Sequence, residues 1–281
     1  MSESTHSQER FLVRTFYRFC DLPQAKLPQL KEQLLELGER YQIRGSLLIS
    51  TEGINATIAG LPERVDGFFR ELQSHFPGLT GQDSFCDKPP FKRWKVPIKK
   101  QIVQASDPEM RPSGNHSKQT SPREWDKIRE LVRQGQAQMV DVRNSYEVGI
   151  GSFPEAIDPG TNTFKEFTDF LDRETGKSLD PALPTAIFCT GGIRCEKARI
   201  DFEKHGFENV LQLEGGILGY FKNSAEQGFD GECFVFDDRV AVDSELQPSS
   251  SYQLCPKCGG PAPRDGGPHN CDNGRRPSEG R

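Results

Sequence analysis

The sequence predicts two domains of different class: an α+β unit over residues 1–105 and a parallel α/β unit over 121–225, joined by a linker at 106–120. Three observations carry this reading. Up to about residue 105, strand-like and helix-like patterns follow the order strand, helix, strand, strand, helix, strand. The stretch SDPEMRPSGNHSKQTS, which begins at residue 106, is polar and turn-rich, as connections between domains are. Beyond it, short apolar strands alternate with helices, the pattern of a parallel sheet covered on both faces.

In the first unit, FLVRTFYRFC (11–20) is dense in aromatic and β-branched residues and reads as a strand. LPQLKEQLLELGERYQ (27–42) sets Leu30, Leu34 and Leu37 at helical spacing with charges between them. SLLIS (46–50) and NATIAG (55–60) are short strands joined through TEGI, where Gly53 forms the turn. LPERVDGFFRELQSHF (61–76) repeats the helical spacing through Val65, Phe68, Phe69 and Leu72, and FKRWKVPIKKQIVQ (91–104) is expected to close the unit as its last strand. This order is the split β-α-β of ferredoxin-like and acylphosphatase-like domains.

In the second unit, REWDKIRELVRQG (123–135) is helical, while MVDVR (139–143) and TAIFC (185–189) are short apolar strands. IRCEKARIDFEKHG (193–206) is helical, and NVLQLEGGI (209–217) is a strand followed by a turn. Residues 226–281 form a C-terminal extension carrying Cys-x-x-Cys. From Asp243 onward it is rich in Ser, Pro and Gly and is expected to have little structure except around its cysteines.

At 281 residues, both units can bury a core. The chain is 34% hydrophobic and 27% charged, with no apolar run near the ~20 residues of a membrane span. MSESTHSQER lacks the apolar core of a signal peptide, so a reducing cytoplasm is the expected compartment, and structural disulfides are rare there. The eight cysteines are scattered apart from two clusters and do not form a disulfide framework. A net charge of -5 disfavours a uniformly basic nucleic-acid binder but leaves room for a local basic patch, because charge acts over about 8 Å.

The densest chemistry lies in FCTGGIRCEKA (188–198). Cys189 ends a strand at the edge where open α/β sheets bind ligands. Gly191 and Gly192 let backbone N–H groups turn inward, the following helix adds its positive end, and Arg194 adds a full charge. Each favours thiolate over thiol, which makes Cys189 the candidate nucleophile. A metal role for Cys189 and Cys195 does not fit their spacing, and no nearby His completes a ligand set. Cys195 falls on the first helical turn, as a packing residue or a second, resolving thiol.

Three separated motifs over about residues 121–225 resemble the rhodanese family: VDVRNSYEVGIGSFPEAIDP (140–159), the loop at 189–194, and LEGGILGY (213–220). The resemblance implies a persulfide-forming Cys189, a cradle from Thr190, Gly191, Gly192, Ile193 and Arg194, and a supporting role for Asp141 and Arg143 on the neighbouring strand. Rhodanese-fold and tyrosine phosphatases place the arginine after five intervening residues, where this chain has Cys195, so the shorter loop fits sulfur chemistry better.

Longer phrases narrow the resemblance. STEGINATIAG (50–60), VRNSYEVGIGSFPEAIDPGTNTFKEF (142–167), CTGGIRCEKA (189–198), LEGGILGYF (213–221) and GECFVFDDRVAV (231–242) are together similar to the rhodanese-domain tRNA uridine hydroxylases, over about residues 11–260. That resemblance implies oxygen-dependent formation of 5-hydroxyuridine at the tRNA wobble position, with tRNA as partner through its anticodon loop, molecular oxygen as co-substrate and an electron donor of unknown identity. No cofactor is identifiable: the five His residues (6, 75, 116, 205, 269) show no iron triad, and no G-x-G-x-x-G flavin fingerprint is present. The rival function is plain sulfur transfer from Cys189; a non-catalytic RNA-binding regulator is a third.

FKRWKVPIKK (91–100) supplies tRNA-binding candidates in Lys92, Arg93, Trp94 and Lys95, since cations neutralise phosphates and aromatics stack on unpaired bases. An edge strand whose lysines deter aggregation would have the same composition. In the tail, Cys255 and Cys258 form one half of a zinc knuckle, but His269 and Cys271, one residue apart, make a poor second half. No metal site is therefore assigned.

Overall fold

The computed structural model describes residues 10–112, 119–224, 228–269 and 271; part of the linker, His6 and His116 lie outside the described residues. The first domain runs β1 (Phe11–Phe19), α1 (Leu27–Arg40), β2 (Arg44–Ser50), β3 (Gly53–Gly60), α2 (Pro62–His75), β4 (Gln82–Cys86) and β5 (Trp94–Lys95). Its sheet has the order β4-β1-β3-β2-β5, antiparallel except for β5. Strand alternation sends Leu12, Phe16, Ile54, Ala56 and Ile58 into one core with Leu34 and Leu37 of α1 and Val65, Phe68 and Leu72 of α2.

One element departs from expectation. The strand that closes the split β-α-β is Gln82–Cys86, beside β1, and not FKRWKVPIKKQIVQ. Of the latter, Trp94–Lys95 pairs parallel to β2 at the opposite edge, and Ile98 adds an isolated parallel bridge to Ile49. Pro97, which has no N–H to donate, interrupts the ladder between these two contacts. β4 is polar in sequence and declares itself only by its alternation, with Ser84 and Cys86 inward and Phe85 outward.

The second domain begins with β6 (Gln119–Thr120) and α3 (Pro122–Arg133), which is started by a Ser121–Glu124 capping box with Pro122 in its first turn. It continues through β7 (Gln138–Asp141), α4 (Ser145–Val148), β8 (Gly151–Ser152), α5 (Phe167–Glu174), β9 (Thr185–Phe188), α6 (Ile193–Lys204), β10 (Val210–Leu213) and α7 (Gly216–Asn223). The order β6-β10-β9-β7 is parallel throughout. Val140, Ile187 and Cys189 face one core with Phe167 and Phe202, while Met139, Ala186 and Phe188 face another with Trp125, Ile217 and Tyr220. Helices therefore cover both faces, as the alternating pattern predicts.

The extension is not a separate tail. β11 (Asp230–Gly231) pairs with β8, and β12 (Cys233–Phe234) with β13 (Ala241–Val242), whose apolar side chains enter the second-domain cores. Past Asp243, where little structure is expected, β14 (Tyr252–Leu254) and β15 (Pro261–Pro263) form a hairpin.

The domains meet across the face of the first sheet opposite α1 and α2. There Glu52, in the β2–β3 turn, is buried against Lys197 of α6, with Nζ 2.9 Å from Oε2 and 3.1 Å from Oε1. Ile102 N–H also donates to Glu52 Oε1 (2.7 Å), and Lys197 Nζ donates to the Val103 carbonyl (3.0 Å). Burial pushes the Lys197 pKa down, against the pull of Glu52. Removing one member of a buried pair strands the other charge, at a cost of about 3–5 kcal/mol. Lys197→Met should therefore lower the urea midpoint sensed by Trp94 and Trp125, one in each domain, and Glu52→Leu added to it should recover at least half of the loss. An unchanged midpoint in the single variant would show that the pair does not hold the seam.

Candidate active site

Cys189 follows β9 directly and is 1% exposed, at the bottom of the seam between the domains. Gly192, with φ of 100°, is the residue that turns the loop into α6, a conformation that glycine adopts without strain. Its N–H donates to Cys189 Sγ at 3.1 Å. Burial opposes ionisation of Cys189 most strongly. The Cys195 thiol, the Arg194 charge and the N–H groups of Arg194 and Cys195 outweigh it and bring the thiol down to about 6. Cys195, fully buried, moves the other way: burial and the neighbouring sulfur push its pKa well above the ordinary thiol value, so it stays protonated and donates.

Arg194 does not project into an open cradle. Its guanidinium grips Glu147 of α4 in a two-point pair, Nη1–Oε2 at 2.5 Å and Nη2–Oε1 at 2.8 Å, with Glu147 wholly buried and Arg194 7% exposed. Burial acts to raise the Glu147 pKa, but the Arg194 charge and hydrogen bonds prevail and hold it below the usual carboxylate range. Thr190 Oγ1 sits beside the pair, 3.4 Å from Nη2 and 3.5 Å from Oε1. Glu147 belongs to the motif SYEVG, yet its role as the arginine's partner is a matter of three-dimensional packing that spacing does not reveal.

Asp141 and Arg143, expected to support the loop, pair with each other one layer out. Arg143 Nε and Nη2 bind Asp141 Oδ1 and Oδ2 at 2.9 and 2.6 Å, both residues fully buried. Arg143 also donates to the Gly151 carbonyl (2.6 Å), tying β7 to the segment that follows α4, the helix of Glu147. A second Asp-x-Arg pair in the extension, Asp237–Arg239, repeats this fork at 2.8 and 2.6 Å, and Arg239 reaches Ser84 of β4 at 2.7 Å. On the far side of the loop, Ile217 and Leu218 N–H donate to the Cys189 and Thr190 carbonyls (2.9 and 3.1 Å). The approach is so close that a Cβ on Gly216 would lie 2.4 Å from the Cys189 oxygen, which accounts for the Gly-Gly turn of LEGGI.

The first domain supplies the roof. Tyr17 OH donates to Glu196 Oε1 at 3.0 Å, and a Cβ on Gly192 would come within 3.0 Å of that hydroxyl. Burial, then Glu196 and Cys189, raise the Tyr17 pKa well above its ordinary value, so it remains a neutral donor.

The basic segment is placed apart from this loop's contacts. Lys92 and Arg93 are exposed and Lys95 half-buried. Trp94 is committed elsewhere: its ring meets Phe68 edge-on at 5.7 Å and its indole N–H donates to the Leu34 carbonyl at 3.2 Å. The base-stacking role expected of Trp94 is therefore corrected to core packing.

Comparison with known proteins adds to this geometry. Residues 11–102 match the UPF0176 acylphosphatase-like domain and 124–223 the rhodanese-like domain. A protein of Synechococcus elongatus named tRNA uridine(34) hydroxylase is 40% identical over 250 residues, covering 88% of this chain and 90% of that one. Proteins of the same name from Agrobacterium fabrum (39%, 91% and 80% covered) and Bdellovibrio bacteriovorus (38%, 93% and 73%) are also similar.

The charge arrangement makes Cys189 reactive in a range where ordinary thiols are not. Modification of Cys189 by a small thiosulfonate, followed on its tryptic peptide, should show a half-maximal rate at a pH of about 6. Cys195→Ala should move that midpoint upward by removing the thiol donor. A wild-type midpoint in the ordinary thiol range, above about pH 8, would contradict the assignment.

Proposed function

The chain belongs to the tRNA uridine(34) hydroxylase family, and from that premise we propose that the Cys189 thiolate acts as a nucleophile toward the uracil ring during oxygen-dependent hydroxylation. The protein is a tRNA-modifying oxidoreductase that hydroxylates uridine 34. One observation carries the reading of its mechanism: buried Cys189 Sγ accepts the Gly192 N–H at the start of α6, an arrangement that favours thiolate, while Arg194 of the loop is paired with Glu147. A relay of sulfur from an anionic donor such as thiosulfate would call for an open cationic cradle. This loop offers a charged sulfur without one, which suits attack on a neutral electrophile.

In the proposed sequence, Cys189 Sγ adds to C6 of the base, and the electron pair of the C5–C6 double bond moves to C5 as an enolate. C5 bonds to molecular oxygen, giving a hydroperoxide after protonation. An external reductant supplies two electrons, and with two protons the O–O bond breaks to leave C5–OH and water. Loss of the C5 proton and departure of the Cys189 thiolate restore the double bond. The low pKa of Cys189 serves both ends, since a good nucleophile at neutral pH is here also a good leaving group. Because Cys189 is 1% exposed, the base reaches it only when the Tyr17 side of the seam parts from the loop. Position 34 lies in the anticodon loop, where unpaired bases can be splayed out at small cost.

The exposed cations Lys92 and Arg93 suit the phosphates of that loop. Two outcomes test the proposal. In cells lacking the native copy, Cys189→Ser should leave tRNA without 5-hydroxyuridine from this enzyme by nucleoside mass spectrometry; full modification would remove Cys189 from the chemistry. Lys92→Glu with Arg93→Glu should weaken tRNA binding and flatten the slope of log affinity against log salt by about one for each phosphate no longer neutralised. An unchanged slope would place the phosphate contacts elsewhere.

A further inference from the structure

The tail carries a built cluster that the catalytic account does not use. Between β14 and β15, the segment CPKCGG folds into a tight turn: Cys255 N–H donates to the Gly260 carbonyl (2.9 Å) and Gly259 N–H to the Cys255 carbonyl (2.8 Å). Gly260 N–H points at Cys258 Sγ at 3.4 Å. The chain then returns over this turn, so that one ligand atom each from Cys255, Cys258, His269 and Cys271 lies within 4.8 Å of all the others. Sequence spacing makes His269 and Cys271 a poor second half-site, but the hairpin carries them back onto the first.

The distances match a metal better than any bond among the side chains themselves. Cys255 Sγ and Cys271 Sγ are 3.7 Å apart, far beyond the roughly 2.05 Å of a disulfide. His269 Nε2 lies 3.7 Å from Cys258 Sγ and 3.0 Å from Cys271 Sγ. A tetrahedral ion with Zn–S of about 2.3 Å and Zn–N of about 2.0 Å sets S···S at ~3.8 Å and S···N at ~3.5 Å. Three soft sulfurs and one imidazole select zinc over the hard cations magnesium and calcium.

We propose that Cys255, Cys258, His269 and Cys271 form a structural zinc site that fastens the C-terminal hairpin. Four protein ligands complete the tetrahedron and leave no position for water or substrate, so the site is a staple and takes no part in hydroxylation. Tyr252 and Leu254 fasten β14 to the second domain, but at the cysteine end the buried apolar residue beyond the cysteines is Ala262, too little to order the returning segment by burial. On binding, the three thiols lose three protons and become thiolates around Zn²⁺ with a neutral imidazole. The Gly260 N–H then stabilises the charge on Cys258, as outer hydrogen bonds do at metal thiolates.

The full chain, purified without chelator, should carry about one zinc per molecule by elemental mass spectrometry. Cobalt exchanged into it should show the strong visible bands of tetrahedral thiolate coordination. Cys258→Ser and Cys271→Ser should each lose most of the zinc while thiosulfonate modification of Cys189 stays as in the wild type. Should a variant fail to fold, alkylation of the wild type decides: Cys255, Cys258 and Cys271 should be protected until a chelator is added. A chain with far less than one zinc that gives no cobalt bands, or three thiols alkylated at the same rate with and without chelator, would overturn the proposal.

Discussion

Everything around the site answers one constraint: a thiolate must remain charged where water does not reach. A buried anion left to itself would take up a proton, because the cost of desolvation is several kcal/mol. The chain does not meet this by placing a free cation next to the sulfur. Arg194 is already paired with Glu147, yet its charge still favours ionisation of Cys189. Opposing desolvation, the Cys195 thiol comes first, the Arg194 charge second, and the inward N–H groups at the start of α6 add to both. Fixed dipoles of this kind stabilise charge without needing to reorganise when the charge moves, which suits a sulfur that must both attack and leave.

The same constraint explains why the chain needs both domains. A rhodanese-like sheet alone would leave the loop open to water on the side now covered by Thr15 and Tyr17 of β1. Polar ties that hold that cover in place include Tyr17 to Glu196, Glu52 to Lys197, and Ser84 to Arg239. They join the phrase STEGINATIAG to CTGGIRCEKA, and FDDRV of the extension to β4. Phrases far apart in sequence are thus one assembly in space. No helix among the described residues is long and apolar enough to cross a membrane.

Much of the fold is legible in the sequence, and the gaps have physical causes. Periodicity locates α1, α2 and α3 to within a few residues, because each turns an apolar stripe to a core; α6 is also placed, although it buries Arg194, Glu196, Lys197 and Asp201 beside its apolar residues. Periodicity passes over α5, although Phe167, Phe170 and Leu171 stand at helical spacing and face the core, because the helix is only eight residues long. It misplaces the closing strand, since β4 draws its stability from pairing with β1 and hardly from its own composition. Trp94 resembles a stacking platform because its neighbours are cationic, yet the small Gly38 opposite it admits the indole into the first core. Cys189 and its glycines can be read directly, as their chemistry is local. Glu147 and Tyr17 cannot be, since each acts through a partner 47 or 179 residues away.

The most direct test of the account asks whether Cys189 bonds to the base. A tRNA carrying 5-fluorouridine at position 34 has no proton at C5 to lose, so the bond from Sγ to C6 should persist once formed. Incubated aerobically with the full chain, it should give a protein–tRNA adduct stable to denaturation, and its cross-linked peptide should contain Cys189. An enzyme that hydroxylates ordinary tRNA but forms no adduct, or one that maps to another residue, would contradict nucleophilic addition by this thiolate.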